Sequence, residues 1–182
     1  MGWIFFRKFT IMKSRTDRVV LMIFFLCFSF VSQAQFKEVE IGVNGLTCSQ
    51  CTRSVEMHIR KLSFVKNVDM NLEHTNGKVF FNDENKVDVN KIAQAVNDAG
   101  FSVRSLEAQF SFDHTNVSSG YCFDYAGDQY QFVEVPKKEL NGPVTLKFIG
   151  DKFLPKKDYK KWKQNLKSNC SNNTGKTYYV TM

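Results

Sequence analysis

The chain has 182 residues, 43% of them hydrophobic and 24% charged, with a formal net charge of +7. That length admits one domain of ordinary size or two small ones. The charge is uneven: residues 1–36 carry five basic and one acidic side chain, residues 37–107 nine and ten, residues 108–182 eleven and seven. Overall basicity is therefore no ground for nucleic-acid binding by the first half.

Residues 1–34 read as a signal peptide. Arg7, Lys8, Lys13, Arg15 and Arg18 form a basic region, and an apolar run of 13 residues follows from Val19 to Val31. Ser32-Gln33-Ala34 then puts small residues at the first and third positions before a cut ahead of Gln35. The run is short for a membrane span, which needs roughly 20 residues. The alternative is an uncleaved anchor at residues 19–31. Met12 is a second candidate start, and Cys27 lacks the small residues that precede a lipid-modified cysteine.

Val39, Ile41 and Val43 alternate with Glu38, Glu40 and Gly42, the period of a half-buried strand. After the turn Gly45-Leu46-Thr47, Cys48-Ser49-Gln50-Cys51 leads into a run in which Val55, Ile59 and Leu62 share one helix face. Cys48 thus falls in the turn and Cys51 near a helix start, where orphan N–H groups and the helix dipole favour thiolate. Two such thiolates suit a soft metal ion. The spacing alone leaves three readings open: a metal site, a redox dithiol, or an incidental pair.

Val65, Val68, Met70 and Leu72 predict a second strand, His74-Thr75-Asn76-Gly77 a hairpin turn, and Val79-Phe80-Phe81 a third strand. Asp88 caps a predicted helix with the apolar face Val89, Ile92, Ala93, Val96 and Ala99, ended by Gly100. Phe101 to Phe110 closes the set as a strand. The order βαββαβ is that of the ferredoxin-like sandwich.

The segments GLTCSQCTRSVE, LSFVKNVDMNL, KVFFN and IAQAVNDAGF, in register over about 70 residues, resemble the heavy-metal-associated domain. That family includes copper chaperones, N-terminal modules of copper-exporting ATPases and a periplasmic mercury-binding protein. The resemblance implies that Cys48 and Cys51 hold one ion, usually Cu(I), in near-linear dithiolate geometry on an exposed loop, without catalysis. Leu46 stands where the family usually has Met, Phe101 where an aromatic residue or a lysine approaches the metal loop, and Phe64 where Gly is common. His58, His74 and His114 lack ligand spacing to the cysteines and read as surface residues. Met57 and Met70 read as core or boundary, and Glu56, Arg60 and Lys61 as a solvated face.

Residues 109–182 carry no recognised motif and read as a second, small β-rich (α+β) domain after the 35–108 module. Ser111 to Gly120 reads as a linker or loop, Tyr130 to Val135 and Val144 to Ile149 as strands around a turn at Asn141-Gly142-Pro143, and Thr177 to Thr181 as a closing strand. Pro155 opens a predicted helix with Tyr159, Trp162 and Leu166 on one face, among lysines that read as a solvated surface. Cys122 and Cys170, remote in sequence, are expected to form a disulfide in an exported chain.

The expectation is an exported, periplasmic α+β protein that captures and transfers Cu(I) through Cys48 and Cys51, with Hg(II) or Zn(II) as other ions. Expected partners are the metal ion and a metal-transporting membrane protein or second metal-binding domain. No nucleic acid, no enzymatic activity and a monomeric apo form are expected. The alternatives are a thiol–disulfide exchange protein, or an interaction protein using residues 109–182 with the first domain as metal sensor.

Overall fold

The first strand, β1 (Glu38–Asn44), buries Val39, Ile41 and Val43 completely. The computed structural model describes residues 38–82, 86–170 and 175–182. The chain divides into Met1–Ala34 and Gln35–Met182. The expected signal peptide, its alternative as an anchor, and Cys27 lie outside the described residues.

After β1 come α1 (Ser49–Arg60), β2 (Val65–Asn71), β3 (Asn76–Phe81), α2 (Val89–Asp98) and β4 (Ser102–Val117). The four strands stand in the order β2-β3-β1-β4, all neighbours antiparallel. Val55 and Ile59 of α1 and Ile92, Ala93 and Val96 of α2 pack with the strands' apolar side chains. Fully burying each large aliphatic contributes about 1.5–3 kcal/mol. The βαββαβ expectation describes this part.

Two local readings change. The hairpin turn is Leu72–Thr75 rather than His74–Gly77. Thr75 takes the left-handed conformation (φ 51°), while Asn76 and Gly77 already pair with β1 and β2. The third strand is flanked on both sides, so its ladder begins earlier than the turn-like dipeptide suggests. Met57, expected at the core or its boundary, is 52% exposed, whereas Met70 packs against the core.

The larger difference lies beyond residue 108. The segment expected as a linker from Ser111 is strand as far as Val117, and β4 runs for 16 residues. Its first half pairs with β1, and from Glu107 onward its other edge pairs with β7 (Lys138–Ile149). β5 (Cys122–Tyr125), β6 (Asp128–Phe132) and β8 (Thr177–Thr181) complete one sheet in the order β2-β3-β1-β4-β7-β8-β6-β5. The expected boundary at 108/109 therefore falls inside a strand. The turn expected at Asn141-Gly142-Pro143 also lies within β7, opposite an irregularity in β4 between Phe112 and Thr115. Gly142 adopts φ +82° and His114 φ +39°, so both strands absorb the kink without breaking. Polar residues fit here because backbone pairing, not side-chain burial, carries this length of β4.

The five strands from β4 to β5 curl on themselves. Phe110 and Phe112 of β4 reach Phe123 of β5, at 5.6 and 5.4 Å between ring centroids, although three strands separate them in the sheet order. Phe110 also meets Tyr125 at 5.1 Å and Tyr130 at 5.3 Å. Such edge-on pairs each add about 0.5–1.5 kcal/mol beyond burial. The last helix, α3 (Lys156–Lys163), begins after Pro155 as expected.

Polar contacts tie α2 to the strands added beyond β4. Asp88 caps α2, accepting from the Asn90 N–H at 3.1 Å. Its other oxygen receives Lys176 Nζ at 2.6 Å, and Asn90 Nδ2 donates to the Tyr178 hydroxyl at 3.2 Å. Burial alone would raise the Asp88 carboxyl, but its bonds to Lys176 and Asn90 and the charge of Lys91 more than offset that and hold it below the usual range. Buried Asp128 receives Lys86 Nζ at 2.9 Å and the Lys176 N–H at 3.1 Å. Burial, with the charges of Asp88 and Asp128, pushes the Tyr178 hydroxyl upward.

Candidate metal centre

Three backbone features fix the cysteine loop. Gly45 turns the chain out of β1 with φ +86°, a conformation that disfavours other residues. Leu46, 3% exposed, plugs the loop into the core. Phe101 lies alongside: the position a Cβ would take on Gly45 is 3.6 Å from Phe101 Cδ1.

Cys48 is the N-cap of α1, with extended backbone (φ −148°, ψ 157°). Its Sγ accepts the Cys51 N–H at 3.2 Å, and its carbonyl accepts the Thr52 N–H at 3.1 Å and the Thr52 hydroxyl at 3.2 Å. A sulfur thus occupies the capping place usually taken by a side-chain oxygen. The first turn of α1 contains no acidic residue, so no carboxylate competes for the dipole's positive end. Cys48 is exposed and Cys51 half-buried against the core. Their Cα atoms are 5.2 Å apart and their sulfurs are in bonding contact. Reduced, the pair offers one ion two sulfur donors, one of them open to solvent.

His58 and His114 make their contacts away from this loop. His58 lies seven residues beyond Cys51, about 10 Å along the helix axis, and its Nδ1 is 2.8 Å from the Ser54 carbonyl. His114 Nδ1 pairs with Glu139 at 2.7 Å, and His74 is in the β2–β3 turn. Among the described residues, no group of three or more His, Cys, Asp or Glu side chains could hold a metal ion. The donor set here is two sulfurs, which suits a two-coordinate soft ion. Zn(II) takes four ligands and would need others from outside.

Two positioning residues have no sequence signal. Arg104 of β4 donates to Thr75 Oγ1 at 2.7 Å and to the His74 carbonyl at 3.1 Å, while the Val43 N–H bonds the Thr75 carbonyl at 2.9 Å. This stitching braces the end of β1 from which the loop departs. Arg60 is exposed, as expected of a solvated face, and also donates to Asn67 Oδ1 and the Val68 carbonyl, both at 2.8 Å, and pairs with Glu56 at 2.7 Å. It pins α1 to β2.

The second cysteine pair sits elsewhere in the sheet. Cys122 on β5 and Cys170 have Cα atoms 5.9 Å apart, with sulfurs in bonding contact. Gln131 of β6, register partner of Cys122, donates to the Lys167 carbonyl at 2.8 Å and accepts the Asn169 N–H at 3.1 Å. It holds the segment that carries Cys170 back to β5, and the sequence does not advertise it.

The heavy-metal-associated domain matches residues 40–102. A copper chaperone, CopZ of Staphylococcus haemolyticus, is 33% identical over 64 residues, 35% of this chain and 93% of the chaperone. Copper-transporting ATPase 1 of Rhizobium meliloti is 39% identical over 69 residues, 38% of this chain but 8% of the ATPase. Among solved structures, oxidized MerP from Ralstonia metallidurans is 37% identical with a TM-score of 0.34, covering 38% of this chain and 97% of that one. The chain thus spans nearly all of the chaperone and under a tenth of the ATPase.

Proposed function

This chain belongs to the heavy-metal-associated domain family, and from that premise we propose that it captures Cu(I) on the thiolates of Cys48 and Cys51 and hands it to another sulfur site. The observation that carries the reading is the donor set: a solvent-open sulfur capping α1 and a half-buried sulfur three residues on, with no group of three or more His, Cys, Asp or Glu ligands among the described residues. The pair joined to each other cannot bind an ion, so an external dithiol must first reduce it. Binding then replaces two S–H protons with one metal ion. Hand-over proceeds by exchanging one sulfur ligand at a time, and exposed Cys48 is the one an incoming thiolate reaches.

The ion is Cu(I) because thiolates select soft metals and two donors satisfy it; Hg(II) shares that preference. The partner is a metal-transporting membrane protein or a second domain of the same family, in keeping with the relatives above. The setting is the bacterial envelope, supported by the basic–apolar–small pattern of residues 1–34 and by the pairing of Cys122 with Cys170. Intact-mass analysis of protein from the native host should find a chain beginning near Gln35; retention of residues 1–34 would rule out the cleaved form. The runner-up, thiol–disulfide exchange, draws on the contact between Cys48 and Cys51.

Competitive Cu(I) titration separates the readings. The parent should bind one ion per chain, and Cys48→Ser and Cys51→Ser should each weaken binding by orders of magnitude, because a neutral hydroxyl is a hard donor. His58→Ala should bind as the parent does. Serine variants that match the parent would overturn the metal reading. Catalytic turnover of a disulfide substrate, without Cu(I) binding, would favour the runner-up.

A further inference from the structure

The helix α3 is built in a way that its own stability does not explain. Residues 151–167 hold seven lysines and two aspartates. Among the described residues only Lys161 of those lysines makes an ion pair, at 3.2 Å to Asp158, and both side chains are largely exposed. Lys156 and Lys157 occupy the first turn, where the helix dipole disfavours cations, and Pro155 provides no side-chain cap. Lys156, Lys160 and Lys163 follow at i, i+4 and i+7 along one stripe, with like charges at the spacing that destabilises a helix. No residue of α3 is buried. Its half-buried Tyr159 faces the fold, lining a depression of about 410 Å³ with Phe153 and Tyr178. The lysines face outward and are all exposed.

We propose that the lysine stripe of α3 docks the protein on an anionic phospholipid surface. Like-charge crowding and first-turn cations that oppose folding are relieved when phosphates neutralise them. The basic residues of 108–182 are all lysine, with no arginine after Arg104. Lysine acts as a point charge on a flexible stem, whereas shaped protein interfaces favour arginine and are depleted in lysine. Tyr159 and Trp162, the aromatic residues of α3, are half-buried, so neither is a fully exposed stacking platform for nucleic-acid bases. A diffuse layer of lipid phosphate asks only for charge, which is what the stripe presents.

Residues 35–182 form a compact unit separate from 1–34, so this fragment is tested without the apolar segment. It is co-sedimented with vesicles of phosphatidylcholine and with vesicles of phosphatidylcholine and phosphatidylglycerol in equal parts. Binding to the mixed vesicles alone, lost at high salt, is the expected result. A triple Lys156→Gln, Lys160→Gln, Lys163→Gln variant should bind roughly a hundredfold more weakly, at about fivefold per lysine. Lys78→Gln, which alters a lysine of the first module, should bind as the parent does. The positions are exposed, and far-UV circular dichroism checks that each variant folds. Equal binding to neutral vesicles, no vesicle binding, or an unaffected triple variant would overturn the proposal. So would tighter binding of polyglutamate or a single-stranded oligonucleotide than of the mixed vesicles.

Discussion

At the scale of single residues, chemistry follows from where a side chain meets the backbone. Cys48 is the helix cap and, in the proposed site, the exposed donor, so replacing it would both remove that donor and alter a cap. Asp88 illustrates a charge with a structural task. Asn caps a helix about as well as Asp, so Asp88→Asn keeps the cap and removes the carboxylate's charge, chiefly its interaction with Lys176. Both partners keep solvent contact, with side-chain exposures of 21% and 53%, so the expected loss at neutral pH is roughly 0.5 kcal/mol. The sign with pH follows from the depressed carboxyl. Its contribution is complete above the ordinary aspartate range and is lost as pH falls through the lower folded value. Urea denaturation of parent and Asp88→Asn at several pH values should give midpoints that differ at pH 7 and converge in acid. A difference that grows in acid would refute it.

At the scale of elements, Cys122, Cys170 and Gln131 come together where the segment after α3 meets the added strands. Cys122 and Cys170 are 48 residues apart. Joining them should stabilise by about 4 kcal/mol in the chain-entropy description. Protein purified without reductant should yield a cross-linked peptide on non-reducing mapping. Cys122→Ser should lower stability under oxidising conditions and by much less in excess reductant. Both cysteines recovered as free thiols would remove the idea.

Over the whole molecule, one sheet runs from β2 to β5, and β4 is shared by the family module and the residues that follow it. A family module ending at β4 would leave that edge unpaired; here the chain's own β7 covers it. Phe110, 3% exposed, projects from the shared strand into the aromatic cluster. Phe110→Ala should cost about 3–5 kcal/mol. In residues 35–182, where Trp162 is the sole tryptophan, its fluorescence and the amide exchange of β1 should report one unfolding transition, displaced together by the substitution. Two transitions, with only the tryptophan signal displaced, would show that the halves fold independently.

The sequence alone determined the order of the elements over residues 38–110 and the placing of Cys48 and Cys51 at a turn and a helix start. Apolar residues recur there at strand and helix periods, and Asp88, Gly45 and Gly100 mark local conformations that short-range sterics and capping dictate. It also marked the strands near residues 130, 146 and 179 and the start of α3. Tertiary structure alone decided that Ser111–Val117 is strand, that Asn141-Gly142-Pro143 continues one, and that both halves share a sheet. In those segments the hydrogen-bonding partner is supplied by a strand 21 to 32 residues away, and a polar edge reads in sequence like a loop. Arg60, Arg104 and Gln131 were hidden for the same reason. A lone polar side chain carries no period, and its task is fixed by which distant carbonyl the fold brings within reach.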